Sequence, residues 1–167
     1  TAYRRQRQMC IRDRSKVNRP ISPAVFDHLL KATQKHLNSA TTLFVKDMHC
    51  GADPVHTMPV RLVSESAWHS AFMHNMFIRS HRDSLSTHVP EFTILHAPTL
   101  TVDPREYGVN SEVFVVISLS RGLVLIGGTR YAGEIKKSIF TIMNHILPSR
   151  GLLPVSYTHL RAHETRG

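Results

Sequence analysis

The chain has 167 residues, enough for one domain with a hydrophobic core, and a net charge of +9. Its two cysteines allow no disulfide framework, which is typical of a reducing, cytoplasmic compartment, and no apolar stretch approaches the roughly 20 residues that span a bilayer. The charge suggests a nucleic-acid partner, but most of the excess lies at the two ends, so we expect neither a nucleic-acid nor a membrane partner.

The two ends differ in character from the rest of the sequence. Residues 1–14 and 155–167 have no apolar periodicity and no turn signals, and they resemble translated sequencing-adapter sequence from metagenomic assemblies. They carry +4 and +1, so the 140 residues from 15 to 154 carry only +4. We predict that both ends are non-native, that they pack little against the rest, and that residues 15–154 keep the fold alone. The alternative for the ends is a basic arm that binds RNA or a membrane.

Pattern and turn signals predict an α/β fold with a mixed β-sheet and packed helices. Ser22 is a candidate N-cap and Pro23 the first residue of a helix that runs to about His36. The remaining predicted elements are strands at 42–47, 60–63, 92–95, 113–119 and 123–126, a helix at 67–78, and loops at 80–86 and 103–110. The strand at 113–119 is continuously apolar, so we expect both of its faces to be buried. Because strands alternate with helices and some strands are close enough to pair antiparallel, a mixed sheet is favoured.

The helix at 67–78 carries hydrophobic residues that we predict to form its buried face: Trp68, Phe72, Met73, Met76 and Phe77. The 12 histidines of the chain are scattered, and no set of them has the spacing of a metal site. We therefore interpret the histidines as structural residues. Cys50 is interpreted as a buried thiol rather than a nucleophile.

The stretch from Leu123 to Leu147 is the best candidate for a functional site. An apolar strand ends in Gly127-Gly128, a short loop follows, and a helix opens with Glu134. Glycines allow close approach to the backbone, and a helix N-terminus favours an anion. Two lysines in the first turn, Lys136 and Lys137, add positive charge outside the apolar stripe of the helix. The residues therefore suit a small carboxylate or phosphate, and the alternative is an ordinary strand-to-helix turn with solvated lysines.

Several words of the sequence, in order and spacing, resemble ATP-dependent phosphoenolpyruvate carboxykinases. They are NRPIS (18–22), LFVKD (43–47), CGADP (50–54), AWHSAFMHNMFIR (67–79), PEFTILHAP (90–98), NSE (110–112) and LVLIGGTRYAGEIKKSIFTIMNHILPSRG (123–151). The resemblance covers about residues 15–154. It implies the substrate-side, N-terminal part of that fold, within an enzyme that converts oxaloacetate and ATP to phosphoenolpyruvate, CO2 and ADP with Mn²⁺ and Mg²⁺.

The resemblance also implies roles for individual residues. Tyr131 would contact substrate beside its carboxylate and CO2, and the backbone at Ala132 and Gly133 would hold substrate closely. Lys137 would ligate Mn²⁺ and face the transferred phosphoryl group, and Lys136 would be a charge partner for substrate. A ligating amine must be neutral, which a neighbouring cation and a metal both favour.

The chain departs from the family pattern in what it omits. The substrate-binding arginine loop, the metal-ligand histidine, the phosphate loop and the nucleotide domain fall outside the resemblance, so we expect the chain alone to be inactive. No obligate protein partner is predicted. Two other functions stay open at this point, a stand-alone anion-binding module and a basic nucleic-acid binder.

Overall fold

The computed structural model describes residues 7–9 and 18–154, and within these residues eight strands form one mixed sheet with helices on both faces. The strands are β1 (Arg7–Met9), β2 (Asn18–Arg19), β3 (Phe44–Cys50), β4 (Met58–Ser64), β5 (Ile78–Arg79), β6 (Phe92–Ala97), β7 (Phe114–Ser118) and β8 (Leu123–Gly127). The helices are α1 (Pro23–Asn38), α2 (Ala67–Met76), α3 (Pro104–Tyr107) and α4 (Gly133–Ile146), with 3₁₀ turns at Arg82–Thr87 and Leu147–Arg150.

The sheet has the strand order β2-β1-β7-β8-β6-β4-β3-β5. Strands β4, β6 and β8 are parallel neighbours, whereas β7 pairs antiparallel with β8 and β3 pairs antiparallel with both β4 and β5. The predicted α/β class with a mixed sheet is confirmed. Because the three parallel strands point the same way, their carboxyl ends meet at one edge of the sheet, where ligands bind in folds of this class.

Two hydrophobic clusters fix the helices to the sheet. Helices α2 and α4 cover one face, and α1 covers the other. The N-cap prediction for α1 is confirmed, since the Ser22 hydroxyl accepts a hydrogen bond from the Val25 amide at 3.2 Å. The stripe of α4 is also as predicted, with Ile135, Ile139 and Ile142 fully buried.

The predicted apolar face of α2 is wrong in part. The side chain of Trp68 is 65% exposed and Met76 is also exposed, whereas the buried residues of the helix are His69, Ser70 and Met73. The helix is rotated relative to the prediction for a polar reason. His69 lies inward, where its ring nitrogens contact the Ser66 hydroxyl and the Arg130 carbonyl, and the adjacent Trp68 therefore lies outward. The helix also ends earlier than predicted, and Ile78 pairs with His49 in the sheet.

Strand β7 is buried at all five positions, as its apolar run predicts. Its outer neighbour is β1, which lies parallel to it and separates it from β2. The expectation that residues 1–14 pack little against the rest therefore does not hold for Arg7–Met9. Residues 155–167 lie outside the described residues, and the non-native origin of both ends stays a prediction.

Candidate active site

The candidate site lies at the carboxyl edge of the parallel strands, where β8 turns into α4. Gly128 makes this turn with a φ of +70°, a region that side chains disfavour. A Cβ at this position would lie only 3.0 and 3.1 Å from the carbonyl oxygens of Glu112 and Leu100. The Gly128 amide donates to the carbonyl of Ala97 at 3.2 Å, which ties the turn to the end of β6.

Three functional groups gather at the first turn of α4. The amine of Lys137 lies 4.8 Å from the centroid of the Tyr131 ring, over its face. The same amine lies 3.8 Å from a carboxylate oxygen of Glu134, whose side chain is buried while that of Lys137 is half-exposed. The structure therefore brings together Tyr131 and Lys137, two of the residues singled out in the sequence, and adds Glu134.

Gly133 explains why the tyrosine can take this position. A Cβ built on Gly133 would lie 2.5 Å from Cζ of Tyr131 and 2.7 Å from its hydroxyl, so the ring occupies the space that a side chain would fill. Ala132, the preceding residue, is buried, and its carbonyl accepts from the amide of Ile135 at 3.1 Å. The two small residues thus shape the turn and leave Tyr131 half-exposed at its rim.

The backbone amides of the turn have intrachain acceptors in several cases. The amide of Tyr131 donates to the hydroxyl of Thr129 at 3.1 Å, and the amide of Glu134 donates to the carbonyl of Tyr131 at 3.1 Å. The Glu134 carboxylate also lies at the positive end of the helix dipole, which it partly offsets. Recognition of an anion here would depend mainly on side chains, above all Lys137, rather than on a row of open amides.

Lys136 lies in a different direction from Lys137. It is close enough to Cys50 on β3 to act electrostatically on that thiol. Burial nevertheless raises the pKa of the Cys50 thiol to about 11, and its Sγ lies 3.2 Å from Sδ of Met143. The thiol is therefore protonated at neutral pH, which agrees with its interpretation as a structural cysteine, although the residue is only partly buried.

A polar cluster beneath the turn was not predicted as part of the site. It consists of Ser64 at the end of β4, Ser66, His69 on α2, and His96 on β6. Ser64 pairs with His96 in the sheet register, and their side chains are hydrogen-bonded at 2.9 Å. The sequence holds no signal for this contact, because it depends on which strands are neighbours.

The described residues contain no group of three or more His, Cys, Asp or Glu side chains arranged to hold a metal ion. The donors near the turn are one amine, that of Lys137, and one buried carboxylate, that of Glu134. Nitrogen and carboxylate oxygen suit a divalent cation such as Mn²⁺. These two donors fit part of a metal site. Its other ligands would have to come from outside the described residues.

Comparisons with known proteins point to a single family. The profile of the phosphoenolpyruvate carboxykinase family matches residues 8–162, nearly the whole chain. The chain is 49% identical over 138 residues to the phosphoenolpyruvate carboxykinase (ATP) of Geobacter sp. (strain M21), and 47% identical over 139 residues to that of Geobacillus kaustophilus (strain HTA426). It is 46% identical over 139 residues to phosphoenolpyruvate carboxykinase (ATP) 1 of Moorella thermoacetica.

An α/β domain with a cationic turn at the carboxyl edge of its parallel strands is thus the class that fold and site define. The chain belongs to the ATP-dependent phosphoenolpyruvate carboxykinase family. Each alignment covers 83% of this chain but only 26% of the relative, so the chain spans about a quarter of the length of these proteins. Among the residues that the structure describes, no helix is long and apolar enough to cross a bilayer.

Proposed function

We propose that this chain is the substrate-side part of a cytoplasmic carboxy-lyase of gluconeogenesis, which converts oxaloacetate and ATP to phosphoenolpyruvate, CO2 and ADP. The observation that carries the proposal is the stacking of the Lys137 amine on the Tyr131 ring at the glycine turn, within a sequence that belongs to this family. An amine beside a hydroxyl, on a rigid turn, suits a small dicarboxylate whose charge changes during reaction, either directly as a cation or as the neutral ligand of a bound metal.

Within this proposal the side chains have separate tasks. The hydroxyl of Tyr131 binds the substrate carboxylate and the CO2 that leaves it, while Gly133 keeps the ring in position. The amine of Lys137 would face the transferred phosphoryl group and, in its neutral form, would hold Mn²⁺. Lys136 contributes positive charge to the substrate from the next position along the helix.

The metals and the nucleotide would be held mostly by the remainder of the enzyme. When bound, Mn²⁺ and Mg²⁺ offset the negative charge of oxaloacetate and of the γ-phosphate of ATP. The chain alone supplies Lys137 and the buried carboxylate of Glu134 near that position. We therefore expect no decarboxylation of oxaloacetate by the 167-residue chain alone.

The test is a graft of residues 18–154 into the Geobacter relative in place of its matching segment. The expected result is ATP-dependent formation of phosphoenolpyruvate from oxaloacetate in the presence of Mn²⁺. Replacing Lys137 by alanine in the graft should abolish this activity. Lys31→Ala, which removes an exposed lysine on α1 at the opposite face of the sheet, is the matched control and should retain activity. A folded graft without activity, or one in which both substitutions act alike, would contradict the proposal.

A further inference from the structure

The polar cluster beneath the turn is a connected hydrogen-bond chain in an otherwise apolar layer. The amide of Ser66 donates to the hydroxyl oxygen of Ser64 at 3.1 Å, and the Ser64 hydroxyl bonds to Nδ1 of His96 at 2.9 Å. The hydroxyl of Ser66 lies 2.8 Å from Nδ1 of His69. The rings of His69 and His96 are in contact, with centroids 4.2 Å apart and a tilt of 43°. This hydrogen-bonded cluster therefore links the ends of two parallel strands to helix α2.

His69 connects this chain to the candidate active-site turn. Its Nε2 lies 3.1 Å from the carbonyl oxygen of Arg130. A carbonyl oxygen only accepts, so Nε2 carries the proton, and Nδ1 of the neutral ring accepts from the Ser66 hydroxyl. With both nitrogens engaged and only 2% of the residue exposed, the ring has no freedom to turn. His69 is thus a fixed donor aimed at the backbone of the turn.

Arg130 is a sensitive place for such a contact, because the next residue is Tyr131. The turn also contains an internal hydrogen bond, from the Tyr131 amide to the Thr129 hydroxyl. The His69 bond comes from helix α2 and acts on the Arg130 carbonyl itself, whereas the bond from the Gly128 amide to Ala97 ties the start of the turn to β6. A shift of the Arg130 carbonyl would turn the following peptide and carry the Tyr131 ring away from Gly133 and the Lys137 amine.

We infer that His69 is a positioning residue, whose Nε2–H fixes the Arg130 carbonyl and thereby holds Tyr131 in register with Lys137. Its consequence for substrate rests on the proposed function, but its consequence for the turn does not. Burial lowers the pKa of His69, against the effect of the Arg130 bond, so the neutral donor persists at neutral pH. The charged and titratable neighbours of the cluster are His96, on β6, and Glu65, which follows β4.

The experiment compares two substitutions in the full 167-residue chain by amide hydrogen exchange at residues 128–134. His69→Leu removes the donor, whereas His69→Gln places a side-chain amide near the former Nε2. Thr33→Val is the matched control, because it deletes another buried hydrogen bond, from Thr33 Oγ1 to the Leu29 carbonyl at 2.8 Å on α1. We expect exchange in the turn to accelerate at least tenfold in His69→Leu, within threefold of the parent in His69→Gln, and no more than the global stability change in Thr33→Val.

Equal acceleration in His69→Leu and Thr33→Val, at matched stability, would overturn the inference, as would failure of glutamine to restore protection. If His69→Leu does not fold, Ser66→Ala replaces it. That substitution frees Nδ1 and should loosen the turn more than Thr33→Val does. The same variants are assayed in parallel in the graft for formation of phosphoenolpyruvate from oxaloacetate. If the parent graft forms no phosphoenolpyruvate while the exchange pattern of the chain is as expected, the substrate assignment fails and the positioning role stands. If all grafted variants are equally active and the turn exchanges as in the parent, the positioning role fails alone.

Discussion

Lys137 and Tyr131 form a pair whose chemistry depends on the identity of each group and on their separation. The amine lies 4.8 Å from the ring centroid, within the range of a cation–π contact. An arginine in the same place would retain charge and could stack on the ring, but its guanidinium stays protonated and has no lone pair for a metal. Replacing lysine by arginine at position 137 therefore retains the positive charge and removes the proposed metal ligand.

In the grafted enzyme, Lys137→Arg should lower kcat and Mn²⁺ affinity strongly, on the order of 10²–10³-fold, the scale of a lost electrostatic contact in the transition state. Lys136→Arg should be milder because it keeps a cation beside the substrate and removes no proposed metal ligand. Tyr131→Phe should weaken substrate binding by about 1–2 kcal/mol, the worth of one hydrogen bond to a charged group. Steady-state kinetics over a Mn²⁺ titration measures all three. Near-normal turnover and metal affinity in Lys137→Arg would identify Lys137 as a solvated helix lysine.

His96 gives the chain a predictable response to acid. Burial lowers the pKa of His96 to about 3, and the neighbouring His69 adds to this effect while Glu65 and the Thr129 backbone oppose it. The unfolded chain has the ordinary value near 6.5, so between these values it binds more protons than the folded chain. The contribution of neutral His96 to the free energy of unfolding is therefore fully present above pH 6.5. It falls as the pH decreases towards 3, by up to about 1.4 kcal/mol per pH unit.

His96→Asn removes this titration and retains a polar atom near Ser64. Urea unfolding at pH 7 and pH 5 should show a smaller loss of stability in His96→Asn than in the parent chain. The pKa values of His49, His69 and His74 are also lowered, and both proteins contain these residues, so the difference between the two slopes isolates His96. Identical slopes would show that the His96 ring takes up its proton in the folded chain.

At the residue scale the sequence predicts which residues carry charge but not what they contact. The proximity of Tyr131 and Lys137 follows from their six-residue spacing across a turn into a helix. The contact between Ser64 and His96 does not follow from any spacing, since 32 positions separate them and only strand order brings them together. Histidines that look scattered along the chain are thus gathered by the sheet.

Helix α4 is the element on which the candidate site is built, and its first residue controls the site. Gly133→Ala should leave stability unchanged or raise it by up to about 1 kcal/mol, because alanine is favoured over glycine in a helix. Its Cβ would nevertheless displace the half-exposed Tyr131 ring. We expect a raised KM for oxaloacetate in the graft, together with urea unfolding that is unchanged or shifted to higher urea concentration.

The contrast is Gly128→Ala, in which a residue with φ +70° meets backbone oxygens that have no room to move. That change should cost about 1–3 kcal/mol of stability. If Gly133→Ala proved as destabilising as Gly128→Ala, the Tyr131 ring would be a rigid part of the fold rather than a movable side chain.

Elements with strong local signals were predicted from the sequence, and those that depend on neighbours were not. Helix α1 has a cap and a proline at its start, and α4 has a continuous stripe, so local chemistry defines both. The face of α2 was predicted wrongly because the bonds of His69 override the hydrophobic pattern that includes Trp68. Strands β1, β2 and β5 are two or three residues long and carry no periodicity, so they exist only because a neighbour pairs with them.

For the whole molecule, the role of the end segments is open to direct measurement. Removing residues 155–167 should change the free energy of unfolding by less than about 0.5 kcal/mol, because their sequence has neither apolar periodicity nor turn signals. Removing residues 1–14 takes away β1 and should cost on the order of 1–3 kcal/mol in lost hydrogen bonds, with the fold retained. Circular dichroism and urea unfolding of the three chains provide the comparison. Loss of the sheet on trimming would show that residues 15–154 do not form the domain alone.

The distribution of charge leads to a second prediction for the whole molecule. Without its ends the chain falls from +9 to +4, which leaves little field to attract a polyanion. The trimmed chain should not change the anisotropy of labelled RNA or DNA at 50 mM or at 200 mM salt. Tight binding that is lost between these two concentrations would identify a phosphate-binding surface within the domain.

The pairing of β1 with β7 has a consequence for the order in which the molecule assembles. Arg7 lies opposite Val115, more than one hundred residues away along the chain, whereas β7 and β8 are joined by a short turn. Closing a long loop costs more entropy than closing a short one, and distant contacts form slowly. The hairpin of β7 and β8 should therefore form early, while the edge of β7 that pairs with β1 is still unpaired. That open edge is a place where two incompletely folded chains could join, and pairing with Arg7–Met9 closes it.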